Sequence, residues 1–429
     1  MPVSRGTSQV VIDTIFQGKD LRTVVEQLRP RPVKETPLPP SLPRETALDR
    51  SAWARRLEIL SNQGMNFEYL SGKKHVADPT TYHGNIENFL GIAQIPVGVI
   101  GPLRINGAYA YGDFYIPLAT TEGAMVASYN RGAMAISLSG GARVVCLTEG
   151  VSRSPGFIFN DLVQAGQFIL WVVHRFDEFK EAVKKTTSHG YLQDVVVTMD
   201  GNHVYLNFQY TTGDAAGQNM VTIATEAICQ KIIADCPVKP LHWFIESNLS
   251  GDKKATAASY LTVRGKKVTA EACIPKQIVS RVLHTTPEKM MEYWKMSLVG
   301  GIQSGSIGVQ GQYANGLAGL FIACGQDVAC VAEAAVGVTR LDIMQCRDLY
   351  ISISMPNLIV GTVGGGTDLP TQKECLAMLG CKGTGSARKF AEICAATILA
   401  GEISIVGALG AGHFTKAHIR YGRRRKAED

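Results

Sequence analysis

The order in which hydrophobic periodicity changes between residues 156 and 246 constrains this chain more than any other feature. An apolar run at residues 157–159 leads into a long amphipathic helical stretch at about 161–185. Two strand-like runs follow, at 194–199 and 204–210, and the Asp200-Gly201-Asn202 link between them has the residue types of a tight hairpin turn. A second helical stretch at about 216–235 and a strand at 241–245 complete the series. The order β-α-β-β-α-β is that of a ferredoxin-like plait and not of a doubly wound parallel sheet.

Glycine- and alanine-rich segments lie on both sides of this unit, so residues 156–245 read as a small domain inserted into a larger one built from 90–155 and 246–420. The best single element of the larger domain is 386–409. Small and apolar residues occupy most of its faces, and as a helix it spans about 36 Å, which places it inside a core. Residues 1–28 suggest a polar start and an amphipathic helix, the proline-dense stretch 30–43 an extended connector rather than a packed element, and about 46–60 a second helix. Residues 1–89 then form an N-terminal helical arm and 421–429 a basic tail. The expected class is α+β, and 429 residues call for more than one core.

Composition narrows the function classes. A net charge of +6, clustered at Arg420, Arg423, Arg424, Arg425 and Lys426, is a solvated tail rather than a nucleic-acid surface. Ten cysteines contain no CxxC pair and no zinc-like spacing with histidine, which predicts reduced thiols, no metal site and a cytoplasmic protein. Gln326, Asp327 and Glu402 interrupt the most apolar later segments, so no membrane span is expected.

Four short motifs carry polar chemistry in apolar surroundings. Ala119-Thr120-Thr121-Glu122-Gly123 precedes a helical run at 124–138 in which Ser128, Asn130 and Arg131 can share one polar site; alone, the threonines read as caps and Glu122 as a dipole complement. Ser250-Gly251-Asp252-Lys253-Lys254 sets an acid beside two lysines after the last plait strand. Such a lysine can steady an oxyanion, although two adjacent lysines are usually a solvated loop. Gly325-Gln326-Asp327 leaves a carboxylate between two apolar segments, where it serves as a helix cap or pairs with a cation. His413 directly follows the long buried helix, with Lys416 and His418 beyond it, and a helix C-terminus favours its protonated form.

Each motif is weak alone, but ATTEG, DKK, GQD and GHxxK in this order resemble the catalytic set of the 3-hydroxy-3-methylglutaryl-CoA (HMG-CoA) reductase family. The resemblance is nearer to the form shared by eukaryotes and many prokaryotes than to the second bacterial class. Supporting stretches are IPVGVIGPL from Ile95, GDAAGQNM from Gly213 and GTVGGGT from Gly361, and the likeness covers about 65–418.

The resemblance implies reduction of HMG-CoA to mevalonate and CoA with two NADPH, NADH being the alternative, in isoprenoid precursor synthesis. It implies that Lys253 stabilises the oxyanion, Glu122 supplies a proton, Asp327 holds and tunes the Lys253 and Glu122 pair, and His413 protonates the departing thiolate. Arg153, Asn248, Asp252 and Lys254 then line the acyl pocket, Ser128, Asn130 and Arg131 meet CoA, and Asn315 is an active-site amide. Asp214, Ala216, Gly217, Gln218 and Asn219 form the pyrophosphate loop, and Gly325, Gln326, Gly364, Gly365 and Gly366 let backbone approach the dinucleotide. The family's site crosses a dimer interface, so a homodimer or higher oligomer is implied.

Four positions depart from the family pattern. Glu246 stands where a small serine is usual, Lys276 is displaced by one so that Gln277 takes the lysine's place, and Gln312 replaces a histidine. The arginine that reads the cofactor's 2′-phosphate is absent from Thr187-Ser188-His189, which leaves Lys184 or Lys185 as substitutes. Two other readings compete: an acyl-CoA reductase of the same fold acting on a related thioester or in the oxidative direction, and a non-enzymatic CoA- or nucleotide-binding paralogue. Retention of both Lys253 and Glu122 disfavours the second.

Overall fold

The computed structural model describes residues 5–43, 49–76, 78–262, 264–412 and 415. Ten strands are present among them: β1 (Val97–Gly107), β2 (Tyr111–Ala119), β3 (Ala142–Arg153), β4 (Gly156–Ile158), β5 (Tyr191–Asp200), β6 (His203–Thr211), β7 (His242–Phe244), β8 (Gly265–Ile274), β9 (Val338–Ile343) and β10 (Leu349–Leu358).

The plait forms as its periodicity predicts. Its strands run β5-β6-β4-β7, all antiparallel, and Gly201 takes φ +58 in the hairpin turn. One detail differs: the first helical stretch breaks into Leu162–His174 and Phe176–Lys184. Ala165, Phe168 and Val172 face the sheet, as do Phe179 and Val183. Arg175 falls between the two groups, turning out to Glu178 and over Trp171 instead of inward.

β3 belongs to two sheets. Its first part, Arg143 to Gly150, pairs with β8 in the order β2-β1-β3-β8-β10-β9. Its end, Val151 to Arg153, pairs with β6, and β4 continues along the same edge after Ser154 and Pro155. The buried hydrophobic residues accordingly separate into one cluster over the larger sheet and one inside the plait, with a third, smaller one where Leu42, Leu60 and Phe67 meet Tyr115 and Met378.

The helix Ala387–Gly410 lies on the larger sheet with nearly every residue buried. It is the one helix among the described residues long and apolar enough to cross a membrane, yet it is enclosed by protein. It crosses Met125–Leu138 so closely that a Cβ on Gly132 would stand 1.8 Å from the Ala400 carbonyl oxygen.

The amino-terminal stretch forms two helices, Arg5–Phe16 and Leu21–Gln27, and a third, Arg50–Ser61, begins at the cap residue Asp49. The proline stretch corrects the expectation of an extended, unpacked connector, because it is firmly held and turns at residues 33–35, where the Glu35 and Thr36 N–H groups meet the Pro32 carbonyl. The fully buried Arg104 binds Asp113 through two bonds of 2.8 Å and donates to the carbonyls of Arg31, Thr36 and Pro37. The turn uses the Pro32 carbonyl, which leaves those of Arg31, Thr36 and Pro37 for such a donor.

The close helix crossing yields a stability test. Gly132→Ala should lower the unfolding free energy by about 3 kcal/mol, since the opposing atom is backbone and cannot swing aside. Gly166→Ala, at an open helical position, should raise it by up to about 1 kcal/mol. Denaturant melts of both variants measure the difference.

Candidate active site

Lys253 sits in the loop between β7 and β8 with its backbone at φ +56, a conformation that a side-chain-bearing residue keeps only when its surroundings enforce it. The enforcing groups are buried. Glu333, fully enclosed, accepts the Lys253 backbone N–H at 3.1 Å and pairs with Arg264 at 2.8 Å. Arg264 in turn holds Asp252 at 2.8 Å and also donates to Gln218 and the Ser152 carbonyl. Burial pushes the Glu333 carboxyl above the usual range while Arg264 pulls it back. Neither Arg264 nor Glu333 stands out in the sequence, because each is a lone charge whose partners are distant in the chain.

The Lys253 ammonium lies 2.8 Å from Asp327, and that hydrogen bond raises its pKa. Asp327 also accepts the Ala329 N–H as the cap of the following turn, so the capping role and the ion pair coexist. Glu122 has a different partner, accepting a 2.7 Å bond from Asn315 at the start of Tyr313–Ala323. No hydrogen bond among the described residues joins these two pairs. Thr120 caps the Glu122 turn and not the helix, which begins from Ala124 at φ +73.

On the helix that follows, Ser128 and Arg131 both bond Ser404 of the buried helix, while Asn130 accepts the Gly101 N–H. Gln312, in the histidine's place, donates to the Gly401 carbonyl, and its own N–H goes to the buried Glu402. Arg153, at the end of β3, is nearly enclosed and bonds Glu246, Asp252 and Gln218. Asn248, at φ +65, gives its N–H to Glu246, and Lys254 reaches the Asp252 carbonyl. Lys276 and Gln277 are exposed.

Three glycine stretches far apart in sequence converge. Ala215 bridges Val363, the Gly361 N–H goes to Gln326, and a Cβ on Gly325 would stand 2.2 Å from the Gly366 oxygen. Gly364 and Gly365 face open space. Beside them the helix Gln218–Asp235 starts from Gly217 with no side-chain cap, leaving N–H donors for an anion. The cradle therefore suits a pyrophosphate. Two side chains assigned to it by resemblance are engaged elsewhere: Asp214 caps the buried helix through the Gly385 and Ala387 N–H groups, and Gln218 faces the arginines. Lys184 pairs with Glu181, and Ser188 bonds His189. His413 lies outside the described residues.

Comparison with known proteins follows this geometry. A family profile described as hydroxymethylglutaryl-coenzyme A reductase matches residues 52–423. The 3-hydroxy-3-methylglutaryl-coenzyme A reductase of Pyrococcus abyssi is 43% identical over 387 residues, covering 88% of this chain and 92% of its own. That of Aeropyrum pernix is 45% identical over 348 residues, covering 80% and 82%. The fold is shared with a class II reductase from Streptococcus pneumoniae solved with NADPH in open conformations, at TM-score 0.67 and 19% identity over 83% of this chain and 97% of that one. The chain belongs to the hydroxymethylglutaryl-coenzyme A reductase family.

Proposed function

We propose that this protein reduces HMG-CoA to mevalonate and CoA, consuming two NADPH in isoprenoid precursor synthesis. The observation that carries the reading is the Lys253–Asp327 pair, 2.8 Å apart beside a preorganised loop, within a chain of this family. The glycine cradle and the start of Gln218–Asp235 would hold NADPH, which would supply the hydride for carbonyl reduction.

Lys253 supplies positive charge where the carbonyl oxygen becomes an oxyanion. Its loop is fixed before substrate arrives, so little reorganisation is needed at the moment of reaction. Asp327 keeps Lys253 charged and oriented. Glu122, steadied by Asn315, is the proton source for carbonyl reduction. Arg153 with Asp252 and Lys254 receives the free carboxylate of the acyl group, and Ser128, Asn130 and Arg131 receive CoA. His413 protonates the departing thiolate. The active unit is a homodimer or larger, and the ten unpaired cysteines fit a cytoplasmic location.

Nicotinamide absorbance with HMG-CoA tests the assignment. Lys253→Met should fold and bind NADPH normally yet lose about a hundredfold to a thousandfold in kcat, the scale of a deleted oxyanion donor; near-normal turnover removes Lys253 from the mechanism. Asp327→Asn removes the group that raises the lysine pKa, so Lys253 loses its proton at lower pH, and the alkaline limb of the kcat profile should move to lower pH. The thiolate donor is separable by substrate. His413→Gln should slow thioester reduction by a hundredfold or more on the usual scale of acid catalysis (about 10²–10⁴), and mevaldehyde reduction far less, because the aldehyde step releases no thiol. Equal losses on both substrates would assign that histidine to binding.

A further inference from the structure

The Arg153 guanidinium is already engaged. One terminal nitrogen donates to both Glu246 at 3.1 Å and Asp252 at 3.0 Å, and the other reaches Gln218 at 3.4 Å. Its Nε is buried and has no hydrogen-bond partner among the described residues. The surroundings contain two arginines, Arg153 and Arg264, and three carboxylates, Glu246, Asp252 and Glu333. Lys253 is neutralised by Asp327, and Lys254 is exposed. Without Glu246 the enclosed charges balance; with it the cluster carries an excess negative charge.

The two carboxylates on Arg153 are not equivalent. Asp252 is also fixed by the Arg264 guanidinium, whereas among the described residues Glu246 is otherwise held only by the Asn248 N–H and the Ser250 hydroxyl. Glu246 is therefore the one that an incoming anion would have to share or displace. An anionic acyl tail meets attraction from Arg153 and repulsion from Glu246 at almost the same point, while a neutral tail of equal shape meets neither in full.

We propose that Glu246 sets acyl-tail selectivity: by occupying Arg153 it reduces the advantage of a carboxylate-ended acyl-CoA over an amide-ended one. This rests on the reading that Arg153 receives the free carboxylate.

The experiment compares kcat/KM for HMG-CoA and for its amide analogue, in which the free carboxylate is a primary amide, in the wild type, Glu246→Gln and Glu246→Ser. Glutamine keeps an acceptor for the Asn248 N–H, and its NH2 group can donate to the Ser250 hydroxyl oxygen in place of the bond that the carboxylate accepts; thermal melting checks folding. The carboxylate-to-amide ratio should rise about tenfold or more in both variants, mainly through a lower KM for HMG-CoA, on the scale of one charge-assisted contact. The free diacid 3-hydroxy-3-methylglutarate gives the same comparison without turnover, its inhibition constant falling about tenfold in Glu246→Gln. A ratio and an inhibition constant that stay at wild-type values, or move the other way, overturn the proposal. So does a raised ratio that persists when Arg153→Met is added to Glu246→Gln. Full discrimination in Arg153→Met alone would instead overturn the placement of the carboxylate at Arg153, which separates the two failures.

Discussion

The structure depends on how one apolar helix satisfies the carboxylates within it. Ala387–Gly410 is enclosed on nearly every face, yet it contains Glu392 and Glu402, both fully buried. A buried acid is tolerated only when its oxygens are bonded. Glu392 takes the N–H groups of Tyr109, Ala110 and Cys146, tying the β1–β2 turn and β3 to the helix. Glu402 takes those of Gly311 and Gln312 and the Thr339 hydroxyl, setting the start of Tyr313–Ala323. Asn315, which holds Glu122, lies on that helix and Asp327 just beyond its end, so the placement of both carboxylates traces back to the same buried element.

The loop carrying Lys253 obeys a parallel rule. Its unfavourable backbone geometry is maintained by Glu333 and Arg264, which satisfy one another while reaching Asp252 and the Lys253 N–H. Strain at Lys253 is offset by a buried ion pair behind it, and strain of this kind persists only where the surroundings over-determine the conformation.

Much of this was legible from local pattern. The plait order, the Asp200-Gly201-Asn202 turn and the buried helix all express a period of two or of 3.6 residues, which neighbouring residues alone reveal. The set Glu122, Lys253 and Asp327 was legible through resemblance. What escaped depends on partners distant in sequence: the break at Arg175, the packing of the proline strap on Arg104, the Arg264–Glu333 support and the convergence of three glycine turns. Gln218 and Asp214 show the same limit from the other side. Their motif was recognised, but their side chains answer to charges and helix ends that no local window contains.

The shared strand β3 has a further consequence for how such a chain can be assembled. The plait leaves the larger sheet after Ser154 and returns at Ser247, whose N–H meets the Ser154 carbonyl at 2.8 Å. Once the inserted unit has folded, its two ends are neighbours, so the remainder of the chain experiences a short staple instead of a long open loop. The entropy of closing that loop, which grows only with the logarithm of its length, is then met within the insert and not charged against the larger core. A long segment can thus be inserted between two paired strands, β3 and β8, without loosening the sheet that they form.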